Sequence, residues 1–313
     1  MMAAGHRPVM LESAVGALRA DPEDSVVDAT FGGGGHSRLI LAGLGAGGRL
    51  VGIDRDPEAA ARASDLLDDP RFEFVSDAYD LALWAMVEEG RGVDAILFDL
   101  GLSSLQVDVA ERGFSYTGEG PLDMRMDPRS GKTAADFLNT VDVGELSRVL
   151  AQYGDVPRAE ARRVAREVVR RRPLLVTTDL YDAVRAALGW KERGGNPAKR
   201  IFQAVRIWVN DELGSLGRAL EAAERLLVPG GRLVVITFHS GEDRLVKRFI
   251  SEREGRCVCP PELPVCVCGA KPVLRRGEIL TPSAREIEEN PRSASARLRV
   301  AIRTAEPPMV DDS

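Results

Sequence analysis

The sequence predicts an α/β fold: a doubly wound parallel sheet, its chain interrupted by an inserted helical domain. Three features predict it. Four short β-rich runs in the first hundred residues each end in an acid, helical spacing of Ala and Leu falls between them, and a long stretch with helical but no strand signals precedes the next strand-like run.

Taken in order, the runs are residues 25–28, 49–54, 72–77 and 93–99, closing on Asp28, Asp54, Asp77 and Asp99. Helices are expected at 37–44 and 57–67, so the order is strand, helix, strand, helix. Between about Gly113 and Val209 helical periodicity appears at 134–138, 143–153, 158–172, 178–188 and 198–213. The last of these is expected to run on through 216–227 into the main domain. A turn at Pro229-Gly230-Gly231 then precedes a fifth strand at 232–238, and a sixth is expected at 297–303. The expected organisation is a discontinuous main domain, 1–112 with 210–305, an insertion over 113–209 for substrate recognition, and a mobile tail over 306–313.

The 313 residues carry a net charge of −6, which argues against a protein that coats nucleic acid through a uniform positive field. A local basic face is compatible with that total. Arg158, Arg162, Arg163, Arg166, Arg170, Arg171 and Arg172, against Glu160 and Glu167, form one candidate surface; Lys199, Arg200, Arg206, Arg244 and Lys247 form a second. The first eleven residues have no apolar leader core, and no later run reaches the roughly 20 apolar residues of a membrane helix. A cytoplasmic protein without membrane partners is expected. Thiols stay reduced there, so Cys257, Cys259, Cys266 and Cys268, two C-x-C pairs across a Pro-rich loop, read either as a structural zinc site or as reduced bystanders.

The first strand runs into Asp28-Ala29-Thr30-Phe31-Gly32-Gly33-Gly34-Gly35-His36-Ser37 and then a helix. Such a glycine run lets backbone approach a ligand and points helix N–H groups at it. Asp54 follows Gly34 by twenty positions, the spacing at which a carboxylate accepts from ribose hydroxyls. The loop departs from G-x-G-x-x-G, because His36 and Ser37 follow the last glycine, so an adenosine ligand without a pyrophosphate fits better than NAD. Asp77 and Tyr79 follow the third run, where they read as bonding an adenine amine and stacking on its ring, with Tyr79 as plain core filler the equal alternative. Asp99 closes an apolar run at the edge where such sheets bind ligands.

With these residues in view the chain resembles the ribosomal RNA small-subunit methyltransferase H family, also called MraW. The matching segments run almost end to end: His6-Arg7-Pro8, the glycine loop, Asp54-Arg55-Asp56, Asp99-Leu100-Gly101-Leu102-Ser103-Ser104-Leu105-Gln106, Pro121-Leu122-Asp123-Met124-Arg125, Pro197-Ala198-Lys199-Arg200, Asn210-Asp211-Glu212-Leu213, Phe238-His239-Ser240 and Asn290-Pro291-Arg292-Ser293. The resemblance implies a class I (Rossmann-like) S-adenosylmethionine-dependent methyltransferase sheet. It further implies methylation of the exocyclic N4 of a cytidine in the decoding region of 16S rRNA, within the small ribosomal subunit, and a cofactor held at Gly34, Gly35, His36, Asp54, Tyr79, Asp99 and Gln106. Two departures stand out: Gly241 where the family usually has Leu, and Asn196 where His often precedes the Pro-Ala-Lys-Arg segment.

A cytosine amino nitrogen is a weak nucleophile, so the protein must orient it and accept a proton. Asp99, His239 and the carbonyls of residues 100–103 are the available acceptors, and Asp99 or His239 is expected to contact the target amine, with a structural histidine the equal alternative for His239. A DNA amino-methyltransferase would carry an Asp/Asn-Pro-Pro-Tyr loop where this chain reads Asp99-Leu100-Gly101-Leu102, so DNA is not an expected partner. A non-catalytic small-subunit assembly factor is the remaining alternative.

Overall fold

Every run that ends in an acid forms a strand, because its apolar residues are paired off between two layers. A computed structural model describes residues 8–102, 104–189, 196–255 and 271–309. The chain divides into two compact units, one reaching Gly101 and resuming at Leu213, the other spanning Leu102–Glu212.

The first unit opens with α1 (Leu11–Leu18), then alternates β1 (Ser25–Asp28), α2 (Gly35–Gly43), β2 (Arg49–Ile53), α3 (Pro57–Ala63), β3 (Phe72–Val75), α4 (Tyr79–Glu88) and β4 (Val93–Asp99). In β1 Val26 joins one apolar layer and Val27 the other; in β4 Ala95 and Leu97 join the first, Ile96 and Phe98 the second. Helices α1, α2 and α3 cover the first face, while α4 is packed on the second. Burial on both sides is what parallel strands joined by helices require.

After the second unit the chain continues through α11 (Glu212–Leu226), β5 (Leu227–Thr237), α12 (Ser240–Arg253), β6 (Leu274–Leu280), α13 (Ala284–Glu289) and β7 (Arg297–Arg303). The sheet order is β3-β2-β1-β4-β5-β7-β6. Strands β1 to β5 pair in parallel, and β7 runs antiparallel between β5 and β6. The chain steps outward from β1 to β3, then returns to pair β4 with the other side of β1. Between β1 and β4 the direction of winding reverses, the position at which sheets of this kind bind ligands beyond the carboxyl ends of their strands.

Several details differ from the sequence expectation. Pro229-Gly230-Gly231 is not a turn ahead of β5 but a bulge within it, where the pairing steps from Val93–Leu227 to Ala95–Arg232. Strand β6 was not anticipated; Arg275, Arg276 and Glu278 leave it no apolar alternation, as suits a strand at the sheet edge. The helix expected to cross from the insertion into the main domain is broken at Asn210 and Asp211, the latter with φ of 48°. The expected mobile tail is anchored as far as Met309: Arg303 donates to the Glu306 carbonyl at 2.6 Å and the Met309 N–H to Glu224 at 2.7 Å.

The second unit contains α5 (Ser104–Asp108), α6 (Ala134–Thr140), α7 (Val143–Gly154), α8 (Arg158–Arg171), α9 (Thr177–Leu188) and α10 (Ala198–Val209). Its bounds are wider than the expected 113–209, because Leu102 already packs on its core and Glu212 pairs with Arg206 at 2.7 Å. Thr133 and Asp136 form a capping box on α6, and Asp142 accepts from Gly144 and Glu145 at the start of α7. Among the described residues no helix is long and apolar enough to cross a membrane.

Asn210 closes this unit. Its amide donates to the Met124 carbonyl at 2.8 Å and accepts from the Met126 N–H at 2.7 Å, fixing a loop in which Met124 is buried with φ of 61°. Asn210→Ala should strand both backbone groups and cost about 2 kcal/mol, lowering the thermal midpoint by about 5 °C. Thermal unfolding of the variant checks this.

Candidate functional site

The site grows from the end of β1. Asp28 is wholly buried; its carboxylate accepts from the Thr30 N–H at 3.2 Å and the Ser37 hydroxyl at 2.7 Å, binding strand, loop and helix α2 together. Thr30 in turn accepts the Asp99 N–H at 2.6 Å on its hydroxyl, so the loop is also tied to β4.

Gly34 caps α2 with φ of 72°, a conformation that favours glycine. A Cβ on Gly35 would lie 2.2 Å from the Pro8 side chain. Glycine at 35 is therefore required by packing against Pro8, whatever else approaches the loop.

Asp54, just past β2, accepts the Gly32 N–H at 2.8 Å on one oxygen and the Asp56 N–H at 2.9 Å on the other. Each oxygen keeps a lone pair for a further donor such as a ribose hydroxyl. Tyr79 begins α4 and stands edge-on to Phe98, centroids 5.7 Å apart, with the Arg55 guanidinium 6.0 Å from its ring centre. Asp77 is exposed and accepts the Ala78 N–H at 2.7 Å.

His36 is buried, with Nδ1 3.6 Å from Asp99 Oδ2, too long for a hydrogen bond but close enough for electrostatic attraction. His36 Nε2 and Asp99 Oδ1 are both buried without a hydrogen-bond partner. Such orphaned polar atoms are costly unless a ligand or water completes them. Loss of hydration pushes the Asp99 carboxyl up to about 6, opposed by His36 and reinforced by the charges of Asp28 and Glu242. Asp28 and Asp54 are likewise pushed up to about 6, chiefly by burial.

His239 follows β5, the parallel neighbour of β4. Its Nδ1 accepts from the Gly241 and Glu242 N–H groups at 3.1 and 3.3 Å, while Glu242 Oε2 accepts from Phe238 and His239 N–H groups at 2.8 and 3.2 Å. This reciprocal capping box assigns the ring proton to Nε2, which lies 3.1 Å from Glu242 Oε1 but off the hydrogen-bond line. The lone pair a proton acceptor would need is thus engaged with backbone.

The first unit therefore gathers Gly34, Gly35, His36, Asp54, Tyr79 and Asp99 along one sheet edge, with His239 on the adjoining strand end. Gln106 belongs to α5 of the second unit, where it is buried. Thr30 and Glu242 were not singled out from sequence. The spacing His239-x-x-Glu242 is a capping-box signal that could have found the second; nothing local marks Thr30. Cys257, Cys259, Cys266 and Cys268 lie outside the described residues.

Residues 3–304 match a family model described as the MraW methylase family. The "Ribosomal RNA small subunit methyltransferase H" of Rubrobacter xylanophilus is 73% identical over 307 residues, covering 98% of each chain. Its namesake from Heliobacterium mobile is 48% identical, over 95% of this chain and 98% of the relative, and that from Dehalococcoides mccartyi 45%, over 96% and 87%. A solved rRNA methylase from Streptococcus thermophilus overlays with a TM-score of 0.43 at 14% identity, covering 96% of this chain and 99% of that one; at that distance the likeness carries no weight.

The raised carboxyls have a direct consequence for stability. Asp28 holds its proton more tightly folded than unfolded, so its contribution is complete below about pH 4 and is lost as pH rises through about 6. Asp28→Asn should flatten that part of the pH dependence. Thermal midpoints of the variant and the parent at pH 4.5 and 7.5 measure the difference, which should be smaller in the variant.

Proposed function

The chain belongs to the MraW methylase family, and we propose that it transfers a methyl group from S-adenosylmethionine to the exocyclic N4 of a cytidine in the decoding region of 16S rRNA. The observation that carries this reading is the His36–Asp99 pair at the switch point, with one buried polar atom on each residue unpartnered. The small ribosomal subunit in the cytoplasm is the proposed setting, in keeping with the names of the relatives.

S-adenosylmethionine supplies, when bound, a methyl group on a positively charged sulfur. The residues fit such a group: Asp54 retains acceptor capacity for ribose hydroxyls, Tyr79 offers an aromatic surface for adenine, and Asp99 offers a negative charge to a cation. Gly34, Gly35 and His36 would flank the ligand at the start of α2, and Gln106 joins the set on the family resemblance.

The remaining work falls to the chain's own groups. The cytosine amine lone pair is delocalised into the ring, so rate depends on alignment and on removing a proton as the new bond forms. Asp99 is suited to that acceptor role. With its carboxyl near 6 it is ionised at neutral pH yet basic enough to take a proton, and Oδ1 has no competing partner. Thr30 fixes the Asp99 backbone, and His36 holds the other carboxylate oxygen by charge. His239 is the second candidate acceptor, but its Nδ1 is engaged as the cap of α12, so the proposal rests on Asp99.

Incubation with labelled cofactor and unmodified small subunits, followed by mapping of the product, tests the reading; label on any base other than a decoding-region cytidine would overturn it. Asp99→Asn should lower single-turnover transfer at saturating cofactor by about 10²- to 10⁴-fold. The parent's rate should climb as pH rises through about 6 and then level, and the variant should lack that limb. His239→Ala should mainly cost stability, about 1 kcal/mol of lost capping, and lower the thermal midpoint by about 3 °C. Lost turnover with an unchanged midpoint would instead move the acceptor role to His239.

A further inference from the structure

Helix α8 carries six arginines and two glutamates in 14 residues, a local charge of +4 in a chain whose total is −6. The structure sorts those arginines. Arg170 and Arg171 both pair with Glu167, at 2.5 and 2.7 Å. Arg172, at the helix end, donates to the carbonyls of Leu138 and Val141 and is a structural tie. The second basic set from the sequence is also divided: Arg206 is held by both oxygens of Glu212, Arg200 reaches the Asp155 carbonyl at 3.4 Å, Lys199 stands exposed beside it on α10, and Arg244 and Lys247 belong to the other unit. Within α8, Arg158, Arg162, Arg163 and Arg166 are exposed, with no ion pair among the described residues, and they form the longest such row.

We propose that these four side chains dock the sugar–phosphate backbone of the RNA substrate, independently of its sequence. The inference rests on the rRNA reading above for the identity of the polyanion. At 100° per residue, Arg158, Arg162 and Arg166 follow one another along the helix at the i, i+4 interval and Arg163 flanks them. Successive members of the row are about 6 Å apart along the axis, comparable to the step between neighbouring phosphates of an RNA strand.

Like charges at this interval repel and weaken a helix, and among the described residues neither Glu160 nor Glu167 forms an ion pair with the row. A row of phosphates would. The opposite face, Ala161, Val164, Ala165 and Val168, is fully buried in the core of the unit, so the row is presented on a fixed support. Apart from its arginines, Ala159 is the one exposed residue of the helix, which leaves no large apolar anchor of the kind a protein partner uses. Guanidinium groups also match phosphate oxygens in pairs, which suits a linear polyanion.

The test is the full-length protein with Arg162→Gln, Arg163→Gln and Arg166→Gln combined, and Arg170→Gln with Arg171→Gln as the control for charge alone. Binding of protein-free 16S rRNA is titrated over a range of salt, and KM and kcat are measured on small subunits. Loss of three phosphate contacts should lower the slope of log K against log salt by about 2 and raise KM at least about tenfold, with kcat, cofactor affinity and the thermal midpoint held. Parent-like slope and KM in a folded triple variant would overturn the proposal, as would an equal loss in the control pair. Weakened subunit binding with unchanged binding of free RNA would also overturn it and indicate an acidic protein surface. The titration reads the arginines whether or not methyl transfer occurs, so failure of the rRNA methylation reading would appear separately, as a parent protein that binds but does not modify.

Discussion

The ligand edge depends on one buried carboxylate, Asp28. It ends β1 and takes hydrogen bonds from Thr30 and Ser37, so the loop between strand and helix has its shape set from within. Thr30 passes the constraint to β4 by accepting the Asp99 N–H, and Gly32 passes it to β2 by donating to Asp54. Three strand ends are thereby held in register by a few short polar contacts, in a region where backbone must otherwise leave the sheet. A buried polar group in such a network gives more than its own energy, because removing it leaves partners unsatisfied.

The same arrangement explains the electrostatics. Burial raises Asp28, Asp54 and Asp99 together to about 6, and Asp28 adds repulsion to each of the other two. This edge is consequently a place where negative charge is held at a cost in the free protein. Hydrogen bonds from Ser37, Thr30, Gly32 and Asp56 compensate Asp28 and Asp54, whereas Asp99 has only the charge of His36 opposing its desolvation. The uncompensated member is the one at the switch point. A bound group with positive charge would be favoured there for reasons that precede any assignment of function.

Much of this was legible in the sequence, and the remainder was hidden for identifiable reasons. Strand ends were readable because Asp28, Asp54 and Asp99 interrupt apolar runs, and the helices of the second unit because their apolar spacing is regular over two or more turns. Strand β6 was not, since an edge strand bearing Arg275, Arg276 and Glu278 has no pattern to distinguish it from a loop. The break at Asp211 lies within continuous helical periodicity, and only the positive φ reveals it. At the site, the residue types were readable while their tasks were not. Gly35 is demanded by Pro8, nearly thirty positions earlier, and His239 resolves into a helix cap because its ring nitrogen meets Gly241 and Glu242.

The arginines of α8 carry that distinction furthest. In sequence Arg158 through Arg172 form one undifferentiated basic run, and a solvated helix face is its simplest interpretation. Geometry separates it into three populations: a pair sharing Glu167, one residue spent on backbone carbonyls, and a row that forms no ion pair among the described residues. A stretch selected for solubility alone would gain from interspersed glutamates, as at Glu167, which relieve repulsion at no loss of solvation. Glu160 forms no ion pair with Arg158, Arg162 or Arg166 among the described residues, so the helix retains a repulsion along that row. Persistence of that unrelieved charge in a chain that is otherwise acidic is the physical reason to look outside the protein for the counter-charge.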